Sequence, residues 1–237
     1  MKKSKILIII PAYNEEANIE KTIAGINNSK VKVDYIVIND GSSDKTKDIL
    51  AKNNFSHINL VHNLGIGGAI QTGYKYALTN DYDIAIQFDG DGQHDISYIE
   101  DLINPIVERQ ADFVIGSRFI KNKKSKFQST GARRAGIKII SFLIKLFTGS
   151  EITDPTSGFR AASKEVIKQF ASDYPTEYPE PESLTSILKA DYKIVEVPVE
   201  MNERSGGKSS IYSWKSIYYM LNVCLSIFVT GIKRRRK

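Results

Sequence analysis

A doubly wound α/β fold with a mainly parallel sheet is what this sequence predicts. Short apolar runs alternate with helix-like segments through the first half of the chain, and the connections between them are only a few residues long. Turns rich in Gly, Asp and Asn follow the apolar runs, as βα loops should. In order, Lys5–Ile10 reads as a strand of nearly unbroken aliphatic residues, the pattern of a strand buried on both faces. Glu15–Asn28 is a helix, Val33–Asn39 a strand, and Asp44–Asn53 a helix that Ser43 or Asp44 can cap. Ile58–Val61 is a short strand, Gly68–Thr79 a helix, and Ile84–Phe88 a buried strand set off by Asp81 and Asp83. Ile96–Arg109 is a helix and Phe113–Ser117 another apolar strand.

The second half is less regular. Phe119–Thr130 is polar, basic and rich in Ser and Lys, a loop composition. Gly136–Phe147 is a helix whose polar residues Lys138, Ser141 and Lys145 form one narrow stripe on an otherwise apolar cylinder. Burial in the core and an interfacial position both fit it. Ile194–Val199 is a strand holding Pro198, and Glu203–Ser210 is a Gly/Ser loop. Ser216–Ile232 is apolar apart from Asn222, two serines and a threonine, at the lower length limit for crossing a bilayer. It reads as a helix in the membrane interface or on a membrane partner, with a true span and simple docking on the domain as alternatives. With no internal repeat or linker, residues 1–210 form one domain and 211–237 an apolar helix with a basic tail.

The 237 residues are 41% hydrophobic and 25% charged, ordinary for a globular protein with a real core. Cys224 is the only cysteine, which excludes an internal disulfide and fits a reducing, cytoplasmic setting. A strand begins almost at the N-terminus, so no signal peptide is expected. The net charge of +6 is unevenly spread. Nine Lys and Arg residues and no Asp or Glu lie between Phe113 and Ser150, and the chain closes Lys233-Arg234-Arg235-Arg236-Lys237. Such blocks imply an anionic partner. No recognition-helix or stacking-platform module accompanies them, so nucleic acid is not expected.

The chemistry concentrates at Asp89-Gly90-Asp91-Gly92-Gln93-His94, just past the fourth strand. In open α/β sheets ligands bind at that edge. Two carboxylates one residue apart, loosened by glycines, can turn toward one Mg²⁺ or Mn²⁺, which such sites share with substrate phosphates. A plain surface turn is the bland alternative. Three more loops fall on the same edge: Pro11–Glu16 after the first strand, Asp40–Asp44 after the second and Asn63–Gly68 after the third. The glycine loop has neither the lysine of a Walker motif nor the glycine spacing of a dinucleotide fingerprint.

In this order along the chain, Pro11–Glu16, Asp40–Asp44, Asn63–Ala69, Asp89–His94, Gly116–Arg118, Asp154–Arg160 and Arg204–Ser209 resemble the family 2 glycosyltransferases of the GT-A fold. The branch that makes polyprenyl-phosphate sugars, the dolichyl-phosphate mannose synthase type, is the most similar. The resemblance implies that Pro11, Tyr13, Glu15 and Asp40 hold the nucleoside of a nucleoside diphosphate sugar, UDP-linked by preference. It implies that Asp89 and Asp91, with Gln93, hold Mg²⁺ or Mn²⁺ against the diphosphate, and that Arg204 and Lys208 close over it. Arg118, Arg133 and Arg134 would bind the head of a polyprenyl phosphate. The implied activity is an inverting, metal-dependent sugar transfer at the cytoplasmic face of a membrane, peripheral or held by a single helix. A saccharide hydroxyl is the alternative acceptor, with Glu180 or Glu182 as base, although both also suit the acidic start of a helix. A non-catalytic sugar-nucleotide-binding subunit is the other alternative. Ile66 stands where many relatives carry lysine, and longer relatives have two or more membrane spans where this chain has one short segment. A small membrane protein partner is therefore expected.

Overall fold

The structure, a computed structural model, describes residues 4–120, 131–201 and 213–233. Strands β1 (Ile6–Ala12), β2 (Asp34–Asn39), β3 (His57–Asn59), β4 (Ile84–Gln87), β5 (Phe113–Ser117), β6 (Arg160–Ser163) and β7 (Ile194–Pro198) form one sheet in the order β3-β2-β1-β4-β6-β5-β7. Every neighbouring pair is parallel except those made by β6, which runs antiparallel to both β4 and β5. The predicted mainly parallel α/β sheet is therefore present. The antiparallel insertion was not anticipated.

Side-chain alternation along β1 shows how the sheet builds two cores. Leu7 and Ile9 enter one, and Ile6, Ile8 and Ile10 enter the other. Helices α1 (Ile19–Asn27), α2 (Thr46–Lys52) and α4 (Ile99–Val107) cover one face with Ile23, Leu50 and Leu102. The other face is covered by α3 (Gly65–Thr79), α5 (Gly131–Thr148), α6 (Lys164–Ser172), α7 (Pro179–Lys189) and α8 (Ser213–Ile232). With both faces covered, the strands read as continuous apolar runs, which is why they were legible.

Three expectations change at the C-terminal side. First, among the described residues no helix is long and apolar enough to cross a membrane, so the spanning alternative for 216–232 is withdrawn. Second, α8 packs on α5 and α7, with Val223 and Ile227 fully in the core and Lys189 Nζ donating to the Gly231 carbonyl at 2.8 Å. Docking on the domain, the plainest of the readings of that segment, is what this structure contains. Third, the core reading of α5 holds for one face of the helix only. Ile137, Ile140 and Ile144 are buried, while Ile139, Phe142 and Leu146 face outward.

Candidate active site

The C-terminal ends of β1, β2 and β4 lie side by side, because β1 pairs with both β2 and β4 in parallel register. The predicted residues Pro11, Tyr13, Glu15, Asp40, Asp89 and Asp91 consequently share one edge of the sheet. Local bonds set each loop. Asn14 adopts a left-handed backbone (φ 56°), which asparagine tolerates, and its side-chain oxygen accepts from the Ser43 N–H at 2.9 Å. That bond ties the first loop to the second. The Glu15 N–H donates to Thr46 Oγ1 at 2.9 Å and its carboxylate accepts from the Asn18 amide at 2.9 Å. Tyr13 is half exposed. Asp40 is buried, and its Oδ1 accepts from the Leu64 N–H at 2.7 Å, fastening the second loop to the glycine loop. Gly41, at φ +68°, passes so close to Asn63 that a Cβ would sit 2.9 Å from its backbone nitrogen. Both facts restrict that position to glycine.

The acidic pair is held differently at its two members. Asp91 is buried, and its Oδ1 accepts from the Gln93 N–H at 3.0 Å. The Gln93 main chain thus organises the turn. Asp89 is more open, with 37% of its side chain exposed, and its Oδ2 lies 3.0 Å from His94 Nε2. His94 is buried, stacked on the Phe159 ring at 4.7 Å with a 22° interplanar angle. Across from it, a Cβ on Gly158 would stand only 3.0 Å from Asp89 Oδ2 and 3.3 Å from Oδ1. The carboxylate therefore occupies a cradle made by an imidazole and a bare backbone.

Among the described residues no cluster of three or more His, Cys, Asp or Glu is placed to hold a metal. Two carboxylates on a glycine-flanked turn nonetheless suit a hard cation that takes its remaining oxygens from phosphate and water, as Mg²⁺ commonly does. Asp89 and Asp91 are the residues that would hold it. Replacing His94 with phenylalanine keeps the stack and removes the donor to Asp89. His94→Phe is expected to leave the melting temperature nearly unchanged and to weaken Mn²⁺ binding about 10- to 100-fold, read by electron paramagnetic resonance with UDP present.

The main surprise is Asp154–Gly158, which β6 delivers to this edge because it enters the sheet antiparallel, with Arg160 opposite Gln87 of β4. Arg118, assigned above to the acceptor, does not face outward. It is buried and donates to Asp154 through Nε and Nη2, each at 2.7 Å, with Nη2 also reaching Thr156 Oγ1 at 2.9 Å. Arg160 is fully buried and donates to the Pro155 and Glu180 carbonyls, both at 2.9 Å. Glu196 accepts from the Thr153 and Asp154 N–H groups at 2.8 Å. Two arginines thus pin one loop, Arg118 through the Asp154 and Thr156 side chains and Arg160 through a main-chain carbonyl, and Arg160 also secures the first turn of α7. In the sequence, Asp154–Arg160 carries a family resemblance but no local signal of this bonding. A lone basic residue looks the same in sequence whether it meets a ligand or a partner 36 positions away.

Glu180 and Glu182 sit in the first turn of α7, which opens at Pro179. The helix-start reading is therefore what the structure contains. Burial pushes the Glu180 carboxyl above the usual carboxylate range. Arg160 opposes that rise and Asp89 adds to it. A raised carboxyl favours the native state while protonated, so this contribution fades as pH climbs from the ordinary carboxylate range through the native value. Glu180→Gln is expected to narrow the gap in melting temperature between pH 5 and pH 8; an unchanged gap would remove Glu180 as its source. Arg134 stands exposed on the first turn of α5, where Arg133 also lies. Arg204 and Lys208 lie outside the described residues. Met201, the last described residue before them, is bridged to His94, so the chain leaves the described region beside the acidic pair.

Comparison with known proteins adds three findings. The profile of glycosyl transferase family 2 matches residues 7–170. A UDP-N-acetylglucosamine–dolichyl-phosphate N-acetylglucosaminyltransferase of Methanococcus voltae is 34% identical over 214 residues, covering 82% of this chain and 84% of the relative. An undecaprenyl-phosphate mannosyltransferase of Micrococcus luteus is 30% identical over 220 residues, 87% of either chain. Among solved structures, glucosyl-3-phosphoglycerate synthase from Mycobacterium tuberculosis, crystallised with Mn²⁺, uridine diphosphate and glucosyl-3-phosphoglycerate, is similar with a TM-score of 0.68. At 19% identity over 99% of this chain and 82% of that one, the likeness is one of fold.

Proposed function

The chain belongs to glycosyl transferase family 2 and is a glycosyltransferase, and from that premise we propose that it moves one sugar from a UDP-sugar to a polyprenyl phosphate, with inversion, at the cytoplasmic face of a membrane. The observation that carries the reading is the shared edge where Asp89 and Asp91 meet the loops of Pro11, Asp40 and Gly65. Relatives named for dolichyl and undecaprenyl phosphate match over more than four-fifths of both lengths, and the fold neighbour holds UDP and Mn²⁺.

Pro11, Tyr13, Glu15 and Asp40 line the place for the nucleoside, with Asp40 also fixing the glycine loop that the diphosphate passes. Asp89 and Asp91 hold Mg²⁺ or Mn²⁺, which when bound supplies Lewis-acid stabilisation to the departing diphosphate. Arg204 and Lys208 add cations to that diphosphate, and an arginine there gives a bidentate contact. Arg133 and Arg134 receive the acceptor's phosphate, while Arg118 is reassigned from binding to holding the 154–158 loop. A phosphate monoester has its second pKa near 6 and is mostly dianionic at neutral pH. It attacks the anomeric carbon with no proton to lose, so a base is not required, and one in-line displacement inverts the centre.

The acceptor decides between this reading and a saccharide hydroxyl, which needs a base worth about 10²- to 10⁴-fold in rate. With undecaprenyl phosphate in detergent, Glu180→Gln is expected to retain at least about a tenth of the wild-type rate. A fall of about 10²-fold or more, or transfer to soluble saccharides alone, would install the hydroxyl acceptor instead.

A further inference from the structure

Among the described residues, nine of the fifteen large hydrophobic side chains that stand exposed lie on just two helices, α5 and α8. Scattered exposed leucines need no explanation, but a contiguous apolar face does. On α5, Ile139, Phe142 and Leu146 fall at helical spacing on the side away from the buried Ile137, Ile140 and Ile144. On α8, Leu221, Leu225 and Phe228 do the same, opposite Val223 and Ile227. The helices run side by side in the same direction. Gly136 near the start of α5 meets Met220, and Phe147 near its end meets both Gly231 and the edge of the Phe228 ring, 5.7 Å between centroids. Two apolar rows on parallel neighbours make one surface, about 16 Å long from Leu221 to Ile232.

We propose that this α5–α8 face is a seat on which the enzyme lies flat against an anionic lipid leaflet, without crossing it. The choice of occupant rests on charge. Arg134 and Lys138 are exposed on α5, and Lys233 is exposed just past α8. The sequence continues Arg234-Arg235-Arg236-Lys237 and has no acidic residue from Phe113 to Ser150. Apolar side chains flanked by cations are what an in-plane interfacial helix presents to acyl chains and anionic headgroups. A second copy of this chain would bring two basic rims together, which like charges oppose. Among the described residues no helix is long and apolar enough to cross a membrane. The proposal rests on the membrane-face part of the reading above and specifies its location.

The test uses the full chain and vesicles that contain no polyprenyl phosphate, so its outcome is separate from that of the transfer assay in detergent. Co-sedimentation with vesicles of phosphatidylcholine holding 30% phosphatidylglycerol is compared with phosphatidylcholine alone. Binding is expected only to the anionic vesicles, and it should weaken about tenfold or more in 0.5 M salt. The variant Phe142→Glu with Leu225→Glu changes outward side chains only and should fold, as its melting curve will show. It is expected to lose at least about tenfold in vesicle affinity, since apolar contact is removed and negative charge is added facing an anionic surface. Equal binding by wild type and variant, or no binding by wild type, overturns the seat. A wild-type dimer that the same double variant dissociates, with no vesicle binding, assigns the face to a second copy and overturns it equally.

Discussion

Asp91→Asn is expected to cut sugar transfer by about 10³-fold or more while leaving the fold intact. The asparagine side chain keeps an oxygen where Asp91 Oδ1 now accepts from the Gln93 N–H, so the turn retains its bond. What it loses is the negative charge, and with it the ability to share a divalent cation with the diphosphate. That cation is worth several kcal/mol of charge stabilisation on the leaving group, and about 4 kcal/mol corresponds to 10³-fold in rate. Two readouts separate this from general damage. The melting temperature without ligand should match wild type, and the upward shift produced by UDP plus Mn²⁺ should largely vanish, since ligand binding stabilises by mass action. Undiminished turnover would remove the acidic pair from the reaction.

Arg118→Ala is expected to be the most damaging single change to stability, by about 3–5 kcal/mol. The guanidinium makes a two-point bond to Asp154, and neither side chain is more than slightly exposed, at 5% and 0%. Truncation leaves the Asp154 carboxylate buried without its counter-charge, and that is where the large cost arises, rather than in the intrinsic worth of the pair. The control is Arg118→Met together with Asp154→Leu, which removes both charges and should recover much of the loss. If Arg118 instead bound acceptor phosphate, Arg118→Ala would leave chemical denaturation unchanged and raise only the KM for the lipid. The two outcomes do not overlap.

How far the sequence revealed this molecule follows from what local patterns encode. Ile6–Ile10 and Ile84–Phe88 are visible because a strand buried on both faces must be apolar throughout, and Asp89 and Asp91 are visible because they follow such a run. β6 was invisible: Arg160-Ala161-Ala162-Ser163 has no β-branched residue and no alternation, although the turn residues Asp154–Gly158 precede it. It is a strand because β4 and β5 offer it hydrogen bonds on both sides, a tertiary cause that local propensity does not contain. For the same reason the Asp154–Gly158 loop went without a position, and Arg118 was sent outward to a ligand. Asn14 carried a fair signal, an asparagine just past a strand end, which is a residue at home in a left-handed turn. The apolar composition of 216–232 suggested a place in or on a membrane, whereas the helix docks on its own domain; composition alone does not say which half of a helix surface that domain will cover.

The strand that opposes its neighbours also has a consequence for synthesis. β1, β2, β3 and β4 can pair with one another as soon as Gln87 has been made. Among the described strands β5, finished at Ser117, pairs with β6 and β7, so it must wait for Ser163 before joining the sheet. During translation, at about 5–20 residues per second, the nascent chain therefore spends several seconds with one flank of β4 unzipped beside an unattached apolar segment. Until the ribosome passes Ser163, that flank is the place for a chaperone to engage or for another nascent chain to add a strand.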